Sequence, residues 1–195
     1  MFTAWVRKIS AGLLAAFGRV VVRLGISADA LTVFGCLLNI GVGVVLATGR
    51  LRLGGLLLAP IAALDGLDGT VARQTGGATR FGAFLDSVLD RVSESAVLLG
   101  LGIWYMQQPG LIEEILVYAA LVGSLLVSYT RARAEGLGLD CKVGLLTRVE
   151  RCLLLIAALI LKVVQPALWI LAVGTLATTV HRILHVRAQL KGQPL

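Results

Sequence analysis

An all-α integral membrane protein, with six transmembrane helices preceded by an N-terminal amphipathic surface helix, is the fold class this sequence predicts. Three observations carry that expectation. First, 57% of the 195 residues are hydrophobic and only 15% are charged, at a mean hydropathy of +0.90. A water-soluble domain of this length has too little interior to hide so much apolar sequence. Second, apolar runs recur six times along the chain. Third, three of the 18 Lys and Arg residues, Arg50, Arg52 and Lys162, fall in loops on one side of these runs, and the other fifteen fall on the opposite side. By the positive-inside rule the rich side is cytoplasmic, and it holds both termini. The net charge of +7 is therefore explained by topology rather than by nucleic-acid binding.

Residues 2–24 mix Arg7, Lys8, Arg19 and Arg23 with Trp5, Leu13, Leu14 and Phe17. The uncharged stretch Ile9–Gly18 is too short to span, and Arg19 and Arg23 interrupt what a signal peptide keeps apolar. A basic amphipathic helix lying on the membrane fits better. The helix start at Ser27–Asp29 opens a first span, Ala30–Thr48. Further runs cover Leu53–Leu64, Phe84–Met106, Ile115–Tyr129, Leu153–Val164 and Ala167–Val180. A span needs about 20 residues, so the second run reaches that length only by continuing through Asp65 and Asp68 to Arg73. The fourth and fifth need polar ends around Arg131 and Arg151. Residues 1–195 form a single domain, with the juxtamembrane helix at 2–24 and the six-helix bundle at 28–190. Cys36, Cys141 and Cys152 form no C-x-x-C pair and read as reduced packing residues. His181 and His185 have no acid or cysteine beside them to complete a zinc site.

The chemistry concentrates between Asp65 and Asp90. If both flanking pieces are helical, Asp65, Asp68, Gly69, Ala72 and Arg73 share one face, and Gly82, Asp86 and Asp90 form another stripe four residues apart. Gln74–Arg80 is short and Gly-rich enough to turn the chain between them. Two antiparallel neighbours would then gather four carboxylates. An acid inside a membrane helix costs about 2.5–3.5 kcal/mol on insertion scales, and clustered acids also repel. A divalent cation offsets both penalties, and carboxylate oxygens are the donors that Mg²⁺ or Mn²⁺ prefers. The alternative is that these acids are helix-end charges paired with Arg73, Arg80 and Arg91.

The pattern D-x-x-D-G-x-x-A-R, eight residues, then G-x-x-x-D-x-x-x-D is met at every specified position, from Asp65 to Arg73 and from Gly82 to Asp90. It resembles the signature of the CDP-alcohol phosphatidyltransferases, integral membrane enzymes that carry it across their second and third spans. The resemblance implies that Asp65, Asp68, Asp86 and Asp90 hold a two-metal Mg²⁺ or Mn²⁺ site on the diphosphate of CDP-diacylglycerol. It implies that Asp68, Gly69, Ala72, Arg73 and Gly82 line the CDP-lipid pocket, and that Asp90 is also the catalytic general base. Ser27-Ala28-Asp29-Ala30-Leu31-Thr32 resembles the family's S-P-D-x-x-T entry to the first span, with Ala28 in place of proline, and brings Thr32 toward the nucleotide. Glu94 extends the α-helical stripe of Asp86 and Asp90, and a structural ion pair is the expectation for it. The resemblance further implies a homodimer in the plasma membrane of a prokaryote, with the active site facing the cytoplasm.

The acceptor alcohol is read from basic residues later in the chain. Ser128-Tyr129-Thr130-Arg131-Ala132-Arg133-Ala134-Glu135 and Val143-Gly144-Leu145-Leu146-Thr147-Arg148-Val149-Glu150-Arg151 resemble the inositol-phosphate branch of the family, with Leu146-Thr147 where methionine-glutamate is usual. Part of this positive charge answers to the positive-inside rule and to anionic lipid headgroups. Converging arginines also grip phosphate through the guanidinium fork. The resemblance assigns Arg131, Arg151 and a C-terminal arginine, Arg187, to the phosphate of inositol 1-phosphate or a similar sugar or polyol phosphate. Glycerol 3-phosphate, giving phosphatidylglycerophosphate, is the runner-up acceptor. A small cation transporter is the competing reading from another class, but it requires acids near mid-membrane on several helices.

Overall fold

The computed structural model describes residues 27–75 and 79–191, with side chains at 27–63 and 79–191. The expected surface helix at 2–24 lies outside the described residues. Six helices follow in order: α1 (Ala28–Ala47), α2 (Leu51–Thr75), α3 (Arg80–Tyr105), α4 (Ile112–Glu135), α5 (Arg148–Leu161) and α6 (Val164–Gln189). No strand occurs among the described residues. The all-helical expectation holds, and the helices overlap the six apolar runs one for one.

Three of them, α1, α4 and α6, are long and apolar enough to cross a membrane. Helix α2 carries the apolar run Leu53–Leu64, and its helical backbone continues to Thr75. Helix α5 has 14 residues, about 21 Å at the α-helical rise and short of a hydrocarbon core of about 30 Å. Large apolar side chains face outward, with Val44 63% and Val173 59% exposed. Such a surface is at home against acyl chains rather than water. This is a membrane protein.

Local signals set the helix starts. The Ser27 side-chain oxygen accepts the Ala30 N–H at 3.2 Å, and Thr79 Oγ1 accepts the Gly82 N–H at 2.8 Å, each relieving an orphan donor of a first turn. Helix α5 ends on Lys162 in the left-handed region (φ 59°), and α6 starts two residues later.

The chain divides into two compact units. One comprises the described part of Met1–Val42 together with Leu57–Val97; its buried side chains include Cys36, Asn39, Leu58, Ile61, Ser93 and Val97. The other comprises Gly43–Leu56 and Leu98–Leu195, with Leu46, Leu101, Val117, Leu159 and Leu168 at its core. In this second unit small residues allow backbones to approach. A Cβ on Gly100 of α3 would stand 2.0 Å from the Gly43 carbonyl oxygen of α1. One on Gly123 of α4 would stand 2.0 Å from Thr175 Oγ1 of α6. In lipid, where apolar side chains gain little by leaving the solvent, such close packing is a principal source of helix association. The three cysteines form no disulfide: Cys36 and Cys141 are buried and Cys152 is half-buried.

Candidate active site

The first group of expected site residues falls in the unit comprising the described part of Met1–Val42 and Leu57–Val97, which holds α3 as far as Val97. Asp86 and Asp90 lie four residues apart on that helix, both half-buried, and Glu94 is half-buried one turn further on. The stripe expected from the sequence is therefore present. Gly82 heads it: its missing side chain leaves room for Asp29, whose Oδ1 would lie 2.8 Å from a Cβ placed there. Asp29 is thus set against the first turn of α3, where peptide N–H groups make the local field positive. Ser87 and Arg91 hydrogen-bond back to their own helix, Ser87 donating to the Phe84 carbonyl and Arg91 to the Ser87 carbonyl. Thr32 donates its hydroxyl to the Ala28 carbonyl at 3.1 Å in the first turn of α1.

The helical backbone of α2 extends unbroken past Asp65, Asp68, Gly69, Ala72 and Arg73 to Thr75, so these five share the helical face the sequence expected. Their side chains lie outside the described residues. Of the turn expected at Gln74–Arg80, Gln74, Thr75 and Arg80 are helical, and 76–78 lie outside the described residues. Among the described residues no three Asp, Glu, His or Cys side chains form a metal cage. Asp86 and Asp90 contribute two of the four carboxylates of the expected set. Hard oxygen donors one helical turn apart, partly withdrawn from solvent, fit Mg²⁺ or Mn²⁺.

The second group lies where α4 ends, α5 begins and α6 passes. Arg131, in the last turns of α4, is exposed and pairs with Glu135 of the same helix, Nε to Oε1 at 2.8 Å. Arg151, in the first turn of α5, is 2% exposed and donates from Nη1 to the Leu146 carbonyl at 3.1 Å. Arg182 of α6 is 3% exposed; Nε donates to the Val143 carbonyl at 2.8 Å, and Nη1 donates to the Val127 carbonyl of α4. Arg131, Arg151 and Glu135 all lie within electrostatic range of Arg182. Three guanidinium groups, with Glu135 near Arg182 and Glu150 near Arg151, leave an excess of positive charge, and buried arginines seek anions or carbonyls.

Thr147 starts α5 and its hydroxyl donates to the Glu150 carboxylate, ahead of the apolar run that opens at Leu153. Arg187, assigned with Arg131 and Arg151 from the sequence, is exposed in the last turn of α6. Arg182, also a C-terminal arginine, is the buried α6 arginine of the cluster. The available signal was a cation set more than a turn before the end of a largely apolar helix, a costly placement without partners.

The CDP-alcohol phosphatidyltransferase family model matches residues 26–181. The phosphatidylinositol phosphate synthase of Mycobacteroides abscessus is 38% identical over 178 residues, covering 86% of this chain and 80% of its own. The archaetidylinositol phosphate synthase of Pyrococcus horikoshii is 32% identical over 175 residues, covering 89% and 90%. Among solved structures, the phosphatidylinositol phosphate synthase of Mycobacterium tuberculosis with CDP-DAG bound superposes at a TM-score of 0.83 and 30% identity, over 89% of this chain and 92% of that one. The same enzyme in complex with manganese and citrate gives a TM-score of 0.80.

Proposed function

The chain belongs to the CDP-alcohol phosphatidyltransferase family, an enzyme of that class, and we propose that it transfers the phosphatidyl group of CDP-diacylglycerol to a hydroxyl of inositol 1-phosphate, releasing CMP. The observation that carries this reading is the complete aspartate signature from Asp65 to Asp90, with Asp86 and Asp90 on one stripe of α3. The choice of acceptor is supported by the arginine cluster and by relatives named for inositol-phosphate products.

In the proposed reaction Asp90 takes the proton from the acceptor hydroxyl, because an alcohol is a poor nucleophile at neutral pH and a positioned carboxylate supplies general-base catalysis. The hydroxyl oxygen then forms a bond to the phosphorus on the diacylglycerol side, and the bond from that phosphorus to the phosphate oxygen of CMP breaks. Asp65, Asp68, Asp86 and Asp90 would hold Mg²⁺ or Mn²⁺. When bound, the two ions neutralise diphosphate charge and stabilise the leaving oxygen. Thr32, Asp68, Gly69, Ala72, Arg73 and Gly82 bind the CDP-lipid, the small residues leaving space against the backbone. Arg131 and Arg151 bind the acceptor phosphate, and Arg187 contributes from the end of α6.

The same reading has all six helices crossing the bilayer, α2 and α5 with polar ends, and the 2–24 segment lying on its surface. Both termini and the active site face the cytoplasm, as the distribution of Lys and Arg supports, and the enzyme works as a homodimer. The test is CMP release by purified protein with Mn²⁺ or Mg²⁺ and a radiolabelled panel of inositol 1-phosphate, glycerol 3-phosphate, serine and free inositol. A phosphatidylinositol phosphate product supports the reading. Preferential turnover of glycerol 3-phosphate replaces the acceptor while keeping the reaction, and metal flux without CMP release refutes both.

A further inference from the structure

Helices α4 and α6 lie side by side and run in the same direction. Gly123 faces Thr175, and further along both helices the Val127 carbonyl accepts from Arg182. Between their C-terminal parts lies a cavity of about 180 Å³, lined by Tyr129, Thr130, Arg133 and Leu137 of α4 and its C-terminal turn and by Ile183 and Val186 of α6. It opens outward, since Tyr129 is 64% exposed and Ile183 54%. On α4, Val122, Leu126, Thr130 and Arg133 follow one another at four, four and three residues, a single stripe. On α6, Leu176, Val180 and Ile183 do the same at four and three. Val122, Leu126, Leu176 and Val180 are all exposed, so an apolar track continues from the cavity along both helices.

The charge at this cavity is uncommitted. Arg131 is paired with Glu135, and Arg182 gives donors to the Val143 and Val127 carbonyls. Thr130 turns its hydroxyl to the Leu126 carbonyl of its own helix at 2.8 Å. Arg133 is exposed, and among the described residues no ion pair holds it. It stands two residues beyond Arg131, about 200° round the helix, and so belongs to the opposite side of α4 from the proposed acceptor phosphate. In the proposed topology this end of α4 and α6 lies at the cytoplasmic boundary of the bilayer. An outward apolar track ending there in a free guanidinium matches a phospholipid, the acyl chain along the track and the phosphate on the guanidinium fork. The Arg182 charge behind the cavity raises the local potential and favours a lipid of net negative charge. Sites that enclose a whole small ligand run to about 300–1,000 Å³, so this one suits a headgroup phosphate rather than a cytidine diphosphate.

We infer that the groove between α4 and α6 binds an anionic phospholipid of the cytoplasmic leaflet through Arg133, as a resident lipid that takes no part in the transfer reaction. The inference rests on the proposed reading for its sidedness.

The experiment uses the full-length enzyme, stripped of lipid in detergent and titrated with phosphatidylglycerol or phosphatidylcholine. Lipid bound per protomer is counted by native mass spectrometry, and the thermal midpoint is followed in parallel. Wild type is expected to hold one phosphatidylglycerol per protomer, with about tenfold preference over phosphatidylcholine, and to gain thermal stability from it. Arg133→Gln should weaken phosphatidylglycerol binding about tenfold and leave the lipid-free midpoint unchanged. Ile183→Trp, which fills the groove, should weaken binding of both lipids. Lys191→Gln removes the same charge just past the end of α6, where Lys191 is exposed, and should bind as wild type does. Equal weakening by Lys191→Gln and Arg133→Gln would reduce the effect to diffuse surface charge and overturn the site. Unchanged binding in Arg133→Gln and Ile183→Trp overturns it too. Loss of dimers from those two variants in light scattering, with lipid binding intact, would give the groove to a second copy of the chain instead. A raised CDP-diacylglycerol KM in Arg133→Gln would make the groove part of the substrate path and refute a resident lipid. Lipid counting needs no turnover, so an enzyme that releases no CMP refutes the proposed function while the phosphatidylglycerol count separately decides the groove.

Discussion

Arg131 and Glu135 form an ion pair one turn apart at the end of α4, Nε to Oε1 at 2.8 Å, with both side chains close to half exposed. An exposed pair of this spacing contributes only a few tenths of a kcal/mol to stability. Its consequence is orientation. The carboxylate holds the guanidinium through Nε, fixing the direction of a group proposed to meet a phosphate. Arg131→Gln is therefore expected to raise the acceptor KM by about tenfold or more while shifting the thermal midpoint by less than about 2 °C. Steady-state kinetics with each substrate varied, alongside thermal unfolding in detergent, checks both halves. Equal damage to the two KM values would dissociate Arg131 from the acceptor.

Asp86 and Asp90 share one stripe of α3, yet the proposal gives them different duties. Asp86→Asn removes a charged ligand, so its defect should be partly relieved by raising the Mn²⁺ concentration. Asp90→Asn also removes the base, and its kcat should fall by about 10²–10⁴-fold with no rescue at saturating metal. Metal titrations of CMP release on both variants separate the two patterns. Full rescue of Asp90→Asn would leave it a ligand alone. Chelation of divalent ions from the wild type should abolish CMP release, and Mn²⁺ or Mg²⁺ should restore it.

What the sequence made legible follows from the range of the interactions involved. Helix α1, expected as Ala30–Thr48, runs Ala28–Ala47, because apolar periodicity and the Ser27 start are local signals. Helix α2 continues through Asp65 and Asp68 as membrane thickness required. The stripe of Asp86 and Asp90 also needs only the helical repeat. Arg182 was different. Its partners, the Val127 and Val143 carbonyls, lie 55 and 39 residues away, and no local pattern in α6 names them. The glycine of the Val143-Gly144 string was visible as a motif, but its reason, a positive φ against Thr178, is a tertiary contact. The family resemblance assigns Arg187, which is exposed, while Arg182 is the buried arginine of α6.

Helix contacts in the unit comprising Gly43–Leu56 and Leu98–Leu195 should be intolerant of added volume. Gly100→Ala places a methyl group against the Gly43 carbonyl, and Gly123→Ala places one against Thr175, each at 2.0 Å before relaxation. Overpacking of this kind costs about 1–3 kcal/mol. Gly100→Ala meets backbone, which yields less readily than the Thr175 side chain, so it should be the more damaging. Thermal unfolding in a fixed detergent, with CMP release measured below the transition, checks the order. Reversal of that order would mean that α4 and α6 are packed more rigidly than α1 and α3.

The sidedness of the loops follows from charge and can be read without any assay of function. Arg50 stands between α1 and α2, with Arg52 in the first turn of α2, and Lys142 stands between α4 and α5. With six spans and cytoplasmic termini, the first loop faces outward and the second inward. Arg50→Cys should react with a membrane-impermeant maleimide in intact cells, whereas Lys142→Cys should react only in inverted vesicles. Both positions are at helix connections, so neither substitution disturbs a packed face. Cys36 and Cys141 are buried, and Cys152 is half-buried, so the wild-type chain gives a low background. Labelling of both variants from one side requires an odd number of the helices between them to stop short of crossing, and the 14-residue α5 cannot supply that exception because it follows Lys142. The candidates would be α2, which reaches spanning length only by continuing through Asp65 and Asp68, and α3, which carries Asp86 and Asp90.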